Sequence, residues 1–236
     1  MKSVMFASQM IQCGILQKDT QAIIAGGMES MSNIPHYLKN FRKGSPLGHA
    51  EILDGVLHDG LWDVYNDQHM GMCAEKCATD YNIGRDEQDQ YAAMSYKRAQ
   101  EAIESGIFEQ EIEPVETSQN KALKVSVDEE PASVRFGAFS KLKPAFKKNS
   151  GTVTAANASS LNDGAAAMVL MSEDAASALG LKPLARILGF GDAEHDPVNF
   201  TTAPSLAVPK ALIASGVQLS DIDFHEINEA FSVVVS

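Results

Sequence analysis

Ala22-Ile23-Ile24-Ala25-Gly26-Gly27-Met28-Glu29-Ser30-Met31-Ser32 decides how this chain is read. Its first four residues form an apolar run of strand length, and the paired glycines stop it. Glu29 then places a carboxylate in the expected tight turn. Upstream, Val4 to Leu16 is apolar on nearly every face, with Gln9 and Gln12 among its few polar members and Gly14 near its end. Such a helix is expected to be buried all round, and Cys13 to serve as packing within it. A buried helix followed at once by a wholly apolar strand predicts an α/β sheet covered on both faces.

Downstream the texture changes. From Asn33 to Ser150 the chain is more polar and predicted mostly helical, an insertion rising from the sheet. Gly44 to Leu47 reads as a loop. Asp86 is a candidate cap for a helix from Glu87 to Ser105 that Gly106 ends, with Tyr91, Ala92, Ala99, Ala102 and Ile103 on its buried stripe. Val125 to Arg135 is acidic and expected at the surface. Gly151 to Gly164 is a run of small and polar residues that permits close approach of backbone to a ligand. Ala165 to Met171 is predicted as a second buried strand, and Ser172 as the cap of a short helix over Glu173 to Ala178 closed by Gly180. Leu184 to Phe190 reads as a strand, Leu206 to Ser215 as a helix with Pro209 in its first turn, and Asp223 to Ile227 as a strand.

Composition narrows the function. A 44% hydrophobic, 21% charged chain of 236 residues is globular, long enough for one large domain or two ordinary ones. A net charge of −12 argues against a nucleic-acid partner. No apolar run approaches the ~20 residues of a membrane span, and Met1-Lys2-Ser3 opens no cleavable signal. The three cysteines, Cys13, Cys73 and Cys77, suit a reducing compartment. Cys73 and Cys77 have the spacing of zinc ligands on a helix, but no second ligand pair accompanies them. Lone histidines are more often structural than catalytic, which is the reading for His36, His49, His58 and His195.

The Gly26 to Ser32 motif also resembles the signature of the thiolase family, and further motifs follow in family order. His69-Met70-Gly71 with Ala74-Glu75 resembles the turn into the substrate loop domain. Gly151-Thr152-Val153-Thr154-Ala155-Ala156-Asn157-Ala158-Ser159 and Leu161-Asn162-Asp163-Gly164 resemble the segment leading back into the sheet. His225-Glu226-Ile227-Asn228-Glu229-Ala230-Phe231-Ser232 resembles the active-site loop of the C-terminal half. The resemblance implies the thiolase fold: two similar α/β/α halves with an inserted helical loop domain, here incomplete at both ends. Residues 1–175 would be a partial N-terminal domain carrying the loop domain at about 33–150, and 181–236 the start of the C-terminal domain. The alternative of a ketosynthase relative shares the fold but lacks the Gly-Gly-Met-Glu-Ser and Asn-Glu-Ala-Phe signatures.

By resemblance to the mitochondrial-type acetyl-CoA acetyltransferases (acetoacetyl-CoA thiolases), the activity is reversible Claisen condensation and thiolysis of acetoacetyl-CoA. The expected substrates are acetyl-CoA and acetoacetyl-CoA, coenzyme A thioesters, with no NAD and no flavin. Asn228 would hold an oxyanion-hole water. His69 and Ser159 would line the pantetheine channel, Phe146 would border it, and Phe231 would join the coenzyme site. Arg135 stands near the expected nucleotide position, where the arginine and lysine of the mitochondrial type fall on Ser133 and Ala138. The basic run Lys141 to Lys148 is a solvated face by chemistry alone and a coenzyme contact by resemblance. Tyr96 with the carbonyls of Ala155, Ala156 and Ala158 resembles a potassium site, and the complete protein would be a homotetramer. The location implied is mitochondrial, the alternative cytoplasmic.

The resemblance further implies that the nucleophilic cysteine stands just before Met1, at the N-terminus of the buried helix, where the dipole favours a thiolate. The Gly-His-Pro histidine and second cysteine would follow Ser236. The expectation is therefore a parent acetyl-CoA C-acetyltransferase, with these residues inactive alone. The alternative is a truncated, non-catalytic product that binds coenzyme A or full-length subunits, with exposed apolar strand edges.

Overall fold

The computed structural model describes residues 1–14, 22–44, 47–117 and 124–236. In chain order the regular elements are α1 (Lys2–Gln12), β1 (Ala22–Ser30), β2 (His36–Leu38), β3 (Ile52–Asp54), β4 (Trp62–Asp63), β5 (Gln68–His69), α2 (Met70–Asp80), α3 (Arg85–Glu104), β6 (Val115–Glu116), β7 (Lys124–Val125), α4 (Glu130–Ser133), β8 (Asp163–Met171), α5 (Glu173–Ala178) and α6 (Ala203–Ser215). Short 3-10 turns and one π-turn at Val56–Gly60 link them. The chain divides into two compact units: residues 1–69 with 160–226, and residues 70–159 with 227–236.

The first unit is organised by the antiparallel pair β1–β8, in register from Ala22 opposite Met171 to Ser30 opposite Asp163. Pairing therefore runs straight through Gly26 and Gly27, and the expected turn is strand. Close approach explains the glycine: a Cβ at Gly26 would stand 2.4 Å from the Ala166 carbonyl oxygen, while Gly27 faces open space. Where the strand ends, the Asp163 carboxylate accepts both the backbone N–H and the hydroxyl of Ser32. These bonds hold that carboxyl below its usual range. The helix α1 lies on β1 and β8 through Ala7, Ala25 and Leu170, with Val4, Ile11 and Ile23 around them.

The expectation of burial on all sides does not hold here. Phe6 and Met10 on α1, Ile24 and Met28 on β1, and Met168 and Val169 on β8 are exposed. The reason is arithmetic: a strand pair with one helix on one face leaves, among the described residues, the opposite side chains in water. Cys13 is likewise exposed at the C-cap of α1 rather than packed in a core. The predicted helix end at Ile15 and Leu16 falls outside the described residues, as do Ser45 and Pro46 of the predicted loop.

Three further expectations are corrected. Leu184 to Phe190 is not a strand. Its close neighbour is a helix: a Cβ at Gly189 would lie 2.7 Å from the Ser215 N atom on α6, and one at Gly191 2.7 Å from that of Ala211. Asp223 to Ile227 forms no ladder among the described residues either, and a segment becomes a strand only with a partner. Helix α6 begins at Ala203 with Pro204 in its first turn, so Pro209 sits in its interior and removes one helical hydrogen bond.

Other local signals appear where the sequence put them. The Ser172 hydroxyl accepts the Ala175 N–H at 3.1 Å and starts α5, and Gly180 follows its end with φ +67°. Replacing Ser172 by alanine is expected to cost about 1 kcal/mol, measured by denaturant unfolding. A shift indistinguishable from zero would show the cap to be idle.

In the second unit, the long α3 is capped by Gly84, with Asp86 inside its first turn rather than at the cap, and Gly106 follows its end with φ +70°. The stretch 33–150 is less helical than expected, because β2–β3, β4–β5 and β6–β7 are antiparallel strand pairs within it. The unit's core gathers Ala92, Phe139 and Ala156, with Tyr96, Val134 and Leu142 against them.

Candidate active site

The site is built on the loop from Gly151 to Ser159, and buried polar groups fix its shape. Glu75, on α2, is buried, and its carboxylate accepts the Thr152 N–H, the Val153 N–H at 2.9 Å and the Thr152 hydroxyl at 3.1 Å. Further along the loop, the buried Asn157 accepts the Thr154 N–H at 2.8 Å. It donates to Asp89 at 2.9 Å and to the Thr152 carbonyl at 3.0 Å. Asp89 in turn pairs with Arg85 at 2.7 Å, and Arg85 also donates to the Phe139 and Leu142 carbonyls. A loop of small residues thus acquires one conformation, because each buried polar group has a partner that fits only that conformation.

Onto this loop the segment Asn228 to Ser232 is laid. Ala158 and Phe231 form an antiparallel bridge, in which Ser159 N–H donates to the Ala230 carbonyl at 3.0 Å and Ser232 N–H to the Asn157 carbonyl at 2.8 Å. The Ser159 hydroxyl also donates to the Ala230 carbonyl, at 3.1 Å. Phe231 is buried, edge-to-face with Phe146 at 6.4 Å. Room for the Phe146 ring comes from Gly71, where a Cβ would stand 2.3 Å from ring carbons. Burial then continues through Ser232 and Val233, whose turn contacts both α2 and α3.

Tyr96 joins the same core as Ala156, edge-to-face with Phe139 at 6.1 Å. Its hydroxyl donates to Glu130 at 2.6 Å. Partial burial, then the bond to Glu130, push its ionisation well above the ordinary tyrosine range, so the phenol stays neutral. Ala155 is exposed, Ala156 buried and Ala158 intermediate.

The residues anticipated from sequence are therefore mostly brought together. Phe146, Ser159, Phe231 and Asn228 share one constellation, and Tyr96, Ala155, Ala156 and Ala158 another beside it in the same unit. His69 belongs to the other unit, where β5 pairs with β4 opposite Trp62, and burial pulls its imidazole below the ordinary histidine range. Arg135 is an exposed residue at the start of the 3-10 turn Phe136–Lys141. Lys141, Lys143, Lys147 and Lys148 all face solvent, alternating at first with the half-buried Leu142, Pro144 and Phe146. Among the described residues no group of three or more His, Cys, Asp or Glu could hold a metal ion. Cys73 and Cys77 are buried one turn apart on α2. Sequence reasoning passed over Glu229, whose carboxylate accepts the Tyr91 and Ser95 hydroxyls at 2.6 Å each. Only the spacing of Tyr91 and Ser95, one helical turn, hints at a shared partner.

Comparison with known proteins covers nearly the whole chain. Residues 1–174 match the model of the thiolase N-terminal domain, and residues 181–236 that of the thiolase C-terminal domain. Acetyl-CoA acetyltransferase 2 of Arabidopsis thaliana is 53% identical over 99% of this chain and 58% of its own length. The mitochondrial acetyl-CoA acetyltransferase of Xenopus tropicalis is 51% identical over all of this chain and 55% of its own length. The chain thus spans little more than half of the curated relatives it matches. Among solved structures, Acat5 thiolase from Ascaris suum in complex with coenzyme A superposes with a TM-score of 0.90 at 41% identity, over 99% of this chain and 58% of that one. The acetyl-CoA acetyltransferase of Bacillus anthracis gives 0.92 at 41% identity, over 99% and 58%.

Proposed function

This chain belongs to the thiolase family and has the thiolase fold, and from that premise we propose that the protein containing it is an acetyl-CoA C-acetyltransferase. Its reaction is the reversible Claisen condensation of two acetyl-CoA molecules and the thiolysis of acetoacetyl-CoA. The observation that carries this reading is the seating of Asn228 to Phe231 on the rigid loop Gly151 to Ser159, beside Phe146. A relative of the same fold, solved in complex with coenzyme A, supports the substrate class.

In this reading the apolar pair Phe146 and Phe231 borders the pantetheine arm, with Ser159 at the channel. His69 is assigned to the same channel by family resemblance alone. Arg135 and the exposed lysines from Lys141 to Lys148 supply cationic charge towards the anionic nucleotide in an otherwise acidic chain. Asn228, exposed and with no side-chain partner among the described residues, presents its amide to a water that donates to the thioester oxygen as the enolate develops. The acyl-accepting thiolate is none of the three cysteines here. Cys73 and Cys77 are buried, and Cys13 sits at a helix C-terminus, where the dipole disfavours an anion. The nucleophile, the proton-moving thiol and the histidine partner of Asn228 are assigned to flanking sequence.

The Tyr96 set fits a potassium ion by its chemistry. A neutral phenol oxygen and peptide carbonyls are hard donors, and the Glu130 carboxylate beside the phenol adds negative charge. Tyr96, Ala155, Ala156 and Ala158 would hold the ion, which would supply fixed positive charge near the coenzyme. A homotetramer, a role in lipid metabolism and a mitochondrial location complete the proposal. The last rests on likeness to mitochondrial relatives, and plant and yeast proteins are equally similar.

The test is cleavage of acetoacetyl-CoA by coenzyme A. Protein expressed with its native flanking sequence is expected to turn over, and faster in potassium than in sodium salts. The 236-residue polypeptide alone is expected to show none. Turnover by that polypeptide above a blank would overturn the assignment of the nucleophile.

A further inference from the structure

The loop that carries Asn228 is held at two places, and neither is Asn228 itself. The first is Glu229. Its two carboxylate oxygens each accept one hydroxyl from α3, Oε1 from Tyr91 and Oε2 from Ser95, both at 2.6 Å. The donors are four residues apart and so share one face of the helix. With a separate donor on each oxygen, the plane of the carboxyl is fixed as well as its position, by two charge-assisted bonds. The second hold is Phe231, buried against Phe146 and bridged to Ala158. Between them, the Ala230 N–H donates back to the Asn228 carbonyl at 2.9 Å. The backbone from 228 to 231 is therefore clamped on both sides of Ala230. Among the described residues, the Asn228 side chain has no partner of its own.

We propose that Glu229 is a positioning residue for Asn228, transmitting the rigidity of α3 to the amide that orders the oxyanion water. This rests on the reading of Asn228 given above. An exposed amide with no side-chain partner among the described residues depends for its aim on its backbone alone. One peptide unit away, the side-chain restraint on that backbone is Glu229. A carboxylate rather than an amide serves here because it accepts from two hydroxyls at once, one on each oxygen, whereas a glutamine has a single acceptor oxygen.

The experiment uses the protein with its native flanking sequence and measures kcat and KM for acetoacetyl-CoA thiolysis with thermal melting alongside. Glu229→Ala is expected to lower kcat about tenfold to a hundredfold, the scale of a misplaced reacting group, with KM for coenzyme A nearly unchanged. The double variant Tyr91→Phe/Ser95→Ala should reproduce that loss, and adding Glu229→Ala to it should bring no further loss. Glu229→Gln should fall between Glu229→Ala and the parent. If Glu229→Ala does not fold, the double variant, which removes only two hydroxyl oxygens, carries the test. Unchanged kcat in a folded Glu229→Ala protein, or a rise confined to KM, overturns the positioning role provided Asn228→Ala abolishes turnover. If Asn228→Ala itself turns over normally, the reading of Asn228 is what fails, and the role of Glu229 falls with it.

Discussion

Glu75→Ala is expected to cost about 3–5 kcal/mol, because it leaves one buried and one half-buried backbone N–H group without acceptors and each such orphan costs about 1–3 kcal/mol. The donors are those of Thr152 and Val153, and the Thr152 hydroxyl loses its acceptor as well. Gly151 already lies so close that a Cβ there would be 2.7 Å from Glu75 Oε1. Water could fill the hole only by entering a region where Val153 and Thr154 are wholly buried. Glu75→Gln should be less damaging, since its amide oxygen can keep part of the set. The measurement is denaturant unfolding followed by far-UV circular dichroism, together with hydrogen exchange at Thr152 and Val153. Exchange at those two amides should rise by orders of magnitude. A loss under about 1 kcal/mol would mean that the loop holds its shape without this anchor.

Gly26→Ala is expected to cost about 2–4 kcal/mol, the scale of overpacking against a neighbour that cannot yield. The added methyl would stand 2.4 Å from the Ala166 carbonyl oxygen and 3.1 Å from the Ala167 Cα atom. Both are backbone of the paired strand, so β1 and β8 must separate locally. Gly27→Ala is the internal control. Its Cβ meets nothing within 4 Å, and alanine there is expected to be neutral within about 0.5 kcal/mol. Unfolding monitored by Trp62 fluorescence reports on the unit in which this pair lies. Equal tolerance at the two positions would contradict the strand register and favour a turn.

That contrast shows what sequence could and could not reveal. Paired glycines after an apolar run are a sound turn signal, and here they fail because the partner strand lies far along the chain. Ser172, Gly106 and Gly180 were legible, since each acts on a helix end within a few residues of itself. Asp86 was misplaced by two positions because Gly84 occupies the cap. Leu184 to Phe190 has strand composition, but its neighbour is α6, and composition does not say what such a segment will meet.

Within the site, Asn228, Ser159, Phe146, Phe231 and Tyr96 could be singled out because they stand in motifs resembling a known family. Glu229 could not be given its role, because its donors lie 138 and 134 residues away. The supports of the loop, Glu75 and Asp89, bond across 77 and 68 residues.

The sequence by itself determined the family, the order of the motifs, the Ser172 cap and the helix ends marked by Gly106 and Gly180, all of which rest on residue identity and near neighbours. Only the tertiary structure decided which glycine cannot bear a side chain, which carboxylates hold the loops, and which apolar side chains remain in water. Those outcomes depend on contacts between residues distant in the chain, where geometry rather than local propensity sets the free energy.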